Sequence, residues 1–315
     1  MKRLIVKYAA VISRLMVPVA VLAAVVGGPA VSAAGDGDRE LALPVVPDSL
    51  REPAERADYV LMHFWDAMEW GDTTLAGEEK WMEQTFVNFA SVMPYASSLF
   101  AVEEAFDNMF GRARDNQAAY RLLLNFADRY LYEPESPMYD ETLYLCALDV
   151  VLRDAFLDPV LLSRYSYQHD EAMKNRPGQP AADFPLVDVT SGERSTLMAA
   201  VNGNGETLVV FYDPECDHCI DVIKSLDRSS SVRSRIESGS LKVVAVYFEG
   251  EEAMLDDVKG LVPAGWTSVY TPGNPVEEEE LYAIRRLPTL YLLSSDATVK
   301  AKDISLEKLL DDLSD

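Results

Sequence analysis

The sequence predicts an α + α/β protein: a helical bundle over residues 49–175, then an α/β/α sandwich over residues 178–315. Three observations carry that expectation. Apolar residues recur at helical spacing through the first half, as in "RADYVLMHFWDAMEW", where Tyr59, Val60, His63, Phe64 and Ala67 follow a helical stripe. At "KNRPGQPAAD", Lys174 to Asp183, prolines, a glycine and charged residues interrupt the pattern. Beyond it, short β-type runs alternate with helical ones, the order that builds a sheet between helix layers.

The helical elements follow one another in order. "EKWMEQTFVNFASVM" repeats the stripe with Trp81, Phe86, Phe89 and Met93, and "NQAAYRLLLNFADRYLY" and "YDETLYLCALDVVLRDAF" continue it. "GDTTLAG", "GRARDN" and "EPESP" separate them as turns, giving four or five helices. In the second half "FPLVDV" and "TLVVFY" read as strands, and the near-continuous apolar "KVVAVYFE" suits a strand buried on both faces. "CIDVIKSL", "EAMLDDVKGL" and "EELYAIRRL" read as helices, "TLYLLSSDATVKAKD" as a hairpin and "LEKLLDDL" as a final helix. The acidic run Glu277–Glu280 fits the solvated start of a helix, where the dipole favours carboxylates.

Composition narrows the function classes. Hydrophobic residues make up 49% of the 315, enough for packed cores, which argues against global disorder. The formal net charge is -24, from 52 acidic and 28 basic residues. A surface of that sign repels nucleic acid and anionic membranes, and its partners should present neutral or basic faces.

The first residues read as a targeting segment. Lys2, Arg3, Lys7 and Arg14 form a positive region, "LMVPVAVLAAVV" an apolar core, and "GGPAVSAA" a small-residue cleavage site with Val31 and Ala33 before the cut. Residues 1–33 are therefore expected as a signal peptide and 34–48 as a linker. Pro18, Gly27, Gly28 and Pro29 interrupt the run and argue against an uncleaved anchor helix. After cleavage no stable membrane insertion is expected. The compartment is then oxidising, of envelope type, where disulfides form.

"FYDPECDHCIDVI" holds two of the three cysteines. Cys216 and Cys219 stand where an apolar strand meets a helix beginning near Ile220. A sulfur at a helix N-terminus meets unpaired N–H groups and the positive end of the dipole, which favour a thiolate. Cys216 is therefore the expected attacking sulfur, and Cys219, one turn on and more buried, the resolving one. His218 could stabilise the Cys216 thiolate, whereas Asp213, Glu215 and Asp217 oppose a further anion. That contest leaves the oxidising or reducing direction open. A static disulfide, a pair of inert thiols and a metal site are the alternatives; the last lacks a fourth ligand beside Cys216, His218 and Cys219.

"VVFYDPECDHC" resembles the strand–turn–helix of the thioredoxin-like superfamily, and "AIRRLPTLYLL" resembles its second signature. The resemblance covers about Gly178 to Asp315 and extends to the redoxin and envelope branch, through "RPGQPAADFPLVDVTSGERSTL". It implies a thioredoxin-like α/β/α sandwich, with Pro288 in the cis position packed against the two sulfurs and facing the substrate peptide. It also implies an extra β-α insertion between the motifs. No cofactor and no metal are implied, only a redox partner protein and protein substrates carrying thiols or disulfides. Two departures matter. The buried acid of the strand is Val210, and the glycine usually two positions before the proline is Arg286, expected to lean toward the cysteines and offset the acidic triplet. Residues 50–175, with "HFWDAMEWGD" at their start, resemble a helical domain of unknown function that precedes thioredoxin-like modules.

The remaining reactive side chains have plain readings. Cys146 on an apolar helical face is expected as a buried core thiol. His63 is expected to bond internally with Asp66, and His169 to be solvated. The sequence thus leads to an envelope thiol–disulfide oxidoreductase with Cys216, Cys219, His218 and Pro288 as site residues. The alternative is a partner- or ligand-binding envelope protein that uses the second domain as a scaffold.

Overall fold

The computed structural model describes residues 41–154, 156–248 and 258–314. The expected signal peptide, residues 34–40 of the linker, and residues 252–257 of the helix expected at 252–261 lie outside the described residues. The chain divides into two compact units between His169 and Asp170. Among the described residues, no helix is long and apolar enough to cross a membrane.

Among its described residues the first unit holds helices and no strand. Its α-helices are α1 (Pro53–His63), α2 (Glu79–Ala90), α3 (Leu99–Ala113), α4 (Gln117–Ala127), α5 (Glu141–Asp154) and α6 (Pro159–Met173), the last running across the boundary. Six helices among the described residues exceed the four or five expected. The sequence patterns passed over α3 and α6. Yet α3 has its own signals: the Ser98 hydroxyl caps it by accepting from the Ala101 N–H at 3.3 Å, and Val102, Phe106, Met109, Phe110 and Ala113 line its buried face. Asn116 caps α4 in the same way, accepting from Ala119 at 3.2 Å.

Aromatic rings build this core. Phe64, Trp65, Phe86, Phe89, Phe106, Phe110 and Phe126 are all fully buried. Most neighbours meet at tilted or edge-on angles, such as Phe89 on Phe106 at 5.9 Å and 88°, while Phe106 and Phe110 stack at 16°. Each such ring contributes roughly 1.5–3 kcal/mol on burial. One buried carboxylate, Asp128, is satisfied by Arg164 at 2.5 Å, the Gln168 amide at 3.0 Å and the Tyr144 hydroxyl at 3.3 Å. Cys146 is buried as expected. His63 Nδ1 meets Asp66 Oδ2 at 2.7 Å, also as expected. His169 differs: it is half-buried, with Nε2 3.1 Å from Asp149 Oδ1.

The described residues of the second unit form a seven-stranded mixed sheet. Its elements are β1 (Pro185–Asp188), β2 (Arg194–Thr196), α7 (Leu197–Ala200), β3 (Glu206–Tyr212), α8 (Asp217–Arg228), α9 (Ser230–Glu237), β4 (Leu241–Tyr247), β5 (Thr267–Tyr270), α10 (Pro275–Glu278), β6 (Thr289–Leu293), β7 (Val299–Ala301) and α11 (Leu306–Ser314). The strand order is β2-β1-β5-β4-β3-β6-β7. β3 pairs in parallel with β4, and β4 with β5, while β6 runs antiparallel to β3 and β7 closes its hairpin. β5 is a strand that the sequence patterns did not identify.

Period-2 alternation divides β3 between two cores. Leu208, Val210 and Tyr212 face a cluster with Cys219, Val222, Ile223 and Leu226 of α8. Val209 and Phe211 face the other, with Phe184, Tyr282, Tyr291 and Val299. β3 is thus buried on both faces, as its unbroken apolar run requires. Just before it, a Cβ on Gly205 would lie 2.4 Å from the Ser240 carbonyl oxygen, so only glycine lets the two backbones approach there.

The helix expected over "EELYAIRRL" is absent. Only the single turn of α10 forms, and the acidic run ends that turn instead of starting a helix: Glu279 is its C-cap and Glu280 has φ of 50°. The reason is tertiary. Tyr282 is drawn into the core, its ring 5.1 Å from both Phe211 and Tyr291, and its hydroxyl donates to Ala182 O at 2.7 Å.

Candidate functional site

The parallel strands β3, β4 and β5 end at one edge of the sheet, and antiparallel β6 begins there. The turn after β3 therefore lies beside the segment before β6. Cys216 is the N-cap of α8, so the helix starts at Asp217, three residues earlier than the sequence suggested. Its sulfur does the capping: the Cys219 N–H donates to Cys216 Sγ at 3.2 Å. The turn is fixed by the Cys216 N–H donating to Asp213 O at 3.2 Å and the Glu215 N–H donating to Asp213 Oδ1 at 2.6 Å.

The two sulfurs differ in access. Cys216 is half-exposed, whereas Cys219 is fully buried among the α8 and β3 side chains. Both are free thiols. Burial pushes the Cys219 thiol up to about 12; the Asp213 backbone pulls it down and Cys216 adds to the rise. Burial likewise pushes the Cys146 thiol of the first unit up to about 12, with help from Asp149, Glu103 and Asp140.

The second motif meets the first. The Leu287–Pro288 peptide is cis, and the Leu287 carbonyl oxygen lies 4.0 Å from Cys216 Sγ. The Thr289 hydroxyl donates to Arg286 O and so spans the Leu287–Pro288 peptide. Cys216, Cys219 and the Leu287–Pro288 loop are therefore brought together. His218 stands exposed on the first turn of α8.

Two groups escaped the sequence reading: Asp303, which engages the segment before the Leu287–Pro288 loop, and Tyr212. Arg286, expected to lean toward the cysteines, has Nε 3.6 Å from Oδ1 of Asp303, and the Arg285 guanidinium donates to Asp303 Oδ2 at 3.1 Å. Asp303 is 1% exposed. Its burial holds the carboxyl above the usual carboxylate range, against the opposing pull of Arg285 and Arg286. No local pattern links Asp303 to the cysteines, which are far away in the chain. Tyr212 was more accessible to sequence reasoning. It lies on the same face of β3 as Val210, in the same cluster as Cys219, and burial pushes its phenol up to about 12.

This difference between thiols has a measurable consequence. In the reduced protein, iodoacetamide near neutral pH is expected to label Cys216 and to spare Cys219 and Cys146. Alkylation follows the thiolate, so the two buried thiols should react at least about 10³-fold more slowly than an ordinary exposed one. Peptide mass mapping would read this directly, and Cys219 labelled as fast as Cys216 would contradict the geometry.

Comparison with known proteins agrees with this architecture. Residues 21–175 match the model of a family described as a domain of unknown function (DUF5106). A thioredoxin-like protein from Bacteroides caccae is 27% identical, with a TM-score of 0.76 over 88% of this chain and 99% of that one. A conserved protein of unknown function from Bacteroides fragilis is 31% identical, with a TM-score of 0.41 over 44% of this chain and 98% of its own. The thioredoxin domain of a thiol-disulfide oxidoreductase from Bacteroides vulgatus is 18% identical, with a TM-score of 0.36 over 44% and 95%. No curated protein matches the chain. The chain belongs to the thioredoxin-like superfamily, with a helical DUF5106 domain ahead of its α/β domain.

Proposed function

We propose that the protein is a thiol–disulfide oxidoreductase of the cell envelope, exchanging disulfides with protein substrates through Cys216 and Cys219. One observation carries this reading: a half-exposed sulfur caps a helix, its fully buried partner one turn behind it. Residues 1–33 serve as a signal peptide, 34–48 as a linker, 49–175 as the helical domain and 178–315 as the catalytic domain.

In the reducing direction, the Cys216 thiolate attacks one sulfur of a substrate disulfide. The Cys216–substrate bond forms, the substrate S–S bond breaks, and one substrate thiolate leaves. The Cys219 N–H and the helix dipole favour the attacking anion. Cys219 then loses its proton and attacks Cys216 Sγ, forming the Cys216–Cys219 disulfide and expelling the second substrate thiolate. Two electrons have passed to the substrate, and a redox partner protein returns them. Oxidation of substrate dithiols is the same sequence reversed, and the partner's potential decides which direction runs. Burial keeps Cys219 protonated until the mixed disulfide forms, so Cys216 attacks first. The Leu287–Pro288 loop shapes the peptide-binding edge, and His218 tunes the thiolate from the exposed first turn.

The test is a trap. Cys219→Ala should complete the first attack and stall, leaving a mixed disulfide on Cys216 that reducing gel electrophoresis releases. The captured protein would identify substrate and direction together. An empty trap under oxidising and reducing conditions would reject the exchange chemistry and favour a scaffold that binds a partner or ligand.

A further inference from the structure

Bound to the segment that leads into the Leu287–Pro288 loop is a charged group that the exchange chemistry leaves unused. Asp303 follows β7, is almost wholly buried, and stands at φ of 45°. Aspartate and asparagine tolerate this left-handed conformation better than other side chains carrying a Cβ. Its neighbours on both sides are fastened. The Lys302 ammonium, itself buried, donates to Glu171 O at 2.8 Å and Ala172 O at 3.1 Å, at the end of α6. The Ile304 N–H donates to Leu290 O at 3.2 Å, at the start of β6. Asp303 is therefore held against the segment that enters β6, and both guanidinium groups it engages, Arg285 and Arg286, belong to that segment. The next residue, Leu287, places its carbonyl oxygen 4.0 Å from Cys216 Sγ.

We propose that Asp303 is a positioning residue that holds Arg285 and Arg286 and thereby limits how much of their positive charge reaches the Cys216 sulfur. This deepens the proposed function and rests on Cys216 being the attacking sulfur. The electrostatics give it a sign. Asp213, Glu215 and Asp217 flank Cys216 with negative charge, and a nearby guanidinium is the natural counterweight. With its charge engaged by Asp303, Arg286 offsets them only in part. Without the carboxylate, the same arginines favour the thiolate, hence the reduced form, and the couple becomes more oxidising.

Asp303→Asn isolates the charge, because asparagine keeps the shape and suits the backbone. Asp303→Asn should raise the rate of Cys216 alkylation near neutral pH about three- to tenfold. It should also move the equilibrium with glutathione toward dithiol and oxidised glutathione by a similar factor. Arg286→Gln should move both readouts in the opposite direction, and the double variant should fall between the two single variants. A merely structural contact would give both single variants the same sign or no shift, and either result overturns the proposal. If Asp303→Asn does not fold, judged by circular dichroism, Arg286→Gln decides: unchanged or faster alkylation rejects the idea. Alkylation reads the thiolate even in a protein that exchanges no disulfides, so failure of this inference and failure of the proposed function remain distinguishable.

Discussion

Cys216→Ser should lower protein-disulfide reduction, with dithiothreitol as donor, to the uncatalysed rate. The expected loss is at least about 10³-fold, the scale on which removing a covalent nucleophile acts. Serine is close to isosteric, but its hydroxyl stays protonated near neutral pH and cannot form a disulfide. Cys219 cannot substitute, because it is fully buried and its thiol is pushed up to about 12. The two cysteines should therefore fail differently. Cys216→Ser forms no adduct at all, whereas a Cys219 variant forms one and stalls. Insulin-type turbidity and mixed-disulfide gels distinguish these outcomes. Residual turnover above a tenth of wild type in Cys216→Ser would remove the sulfur from the chemistry.

Phe211→Ala should destabilise the second unit by about 3–5 kcal/mol, the range for deleting a fully buried aromatic ring. The ring is 0% exposed and touches Phe184 at 5.9 Å, Tyr282 at 5.1 Å and Tyr291 at 6.0 Å. Those partners come from three separate segments, so none can close the cavity alone. For a unit of this size each kcal/mol shifts Tm by roughly 2–4 °C, giving a fall of about 6–20 °C. Phe100→Ala is the control: its ring is 65% exposed, and its loss should change stability by less than about 0.5 kcal/mol. Equal shifts for the two variants would refute the burial argument.

Local rules explain what could be read from the residues. "TLVVFY" is a strand buried on both faces because its apolar run has no polar side, and the register with β4 and β6 places it between them. Cys216 caps α8 because the strand-to-helix turn and the cap are decided within a few residues. The pairing of "VVFYDPECDHC" with "AIRRLPTLYLL" placed Leu287 and Pro288 beside that cap through resemblance, not through local physics. The helix expected at "EELYAIRRL" failed where a long-range contact overruled a local preference: burying Tyr282 between Phe211 and Tyr291 outweighs the hydrogen bonds of two helical turns. Helix α3 was missed although Ser98 and its apolar spacing announced it. Helix α6 was harder, since Tyr165 is its one large fully buried side chain.

The amino-acid sequence by itself determined the two-part organisation, the central buried strand and the cysteine at a helix tip, because each depends on residues within one or two turns of one another. Only the tertiary structure decided which carboxylate engages Arg286, how deeply Cys219 lies, and that the chain before Pro288 abandons its helical pattern. Those outcomes come from contacts between residues remote in the chain, such as Asp303 with Arg286 and Tyr282 with Phe211, and no periodicity encodes which distant side chain a buried group will meet.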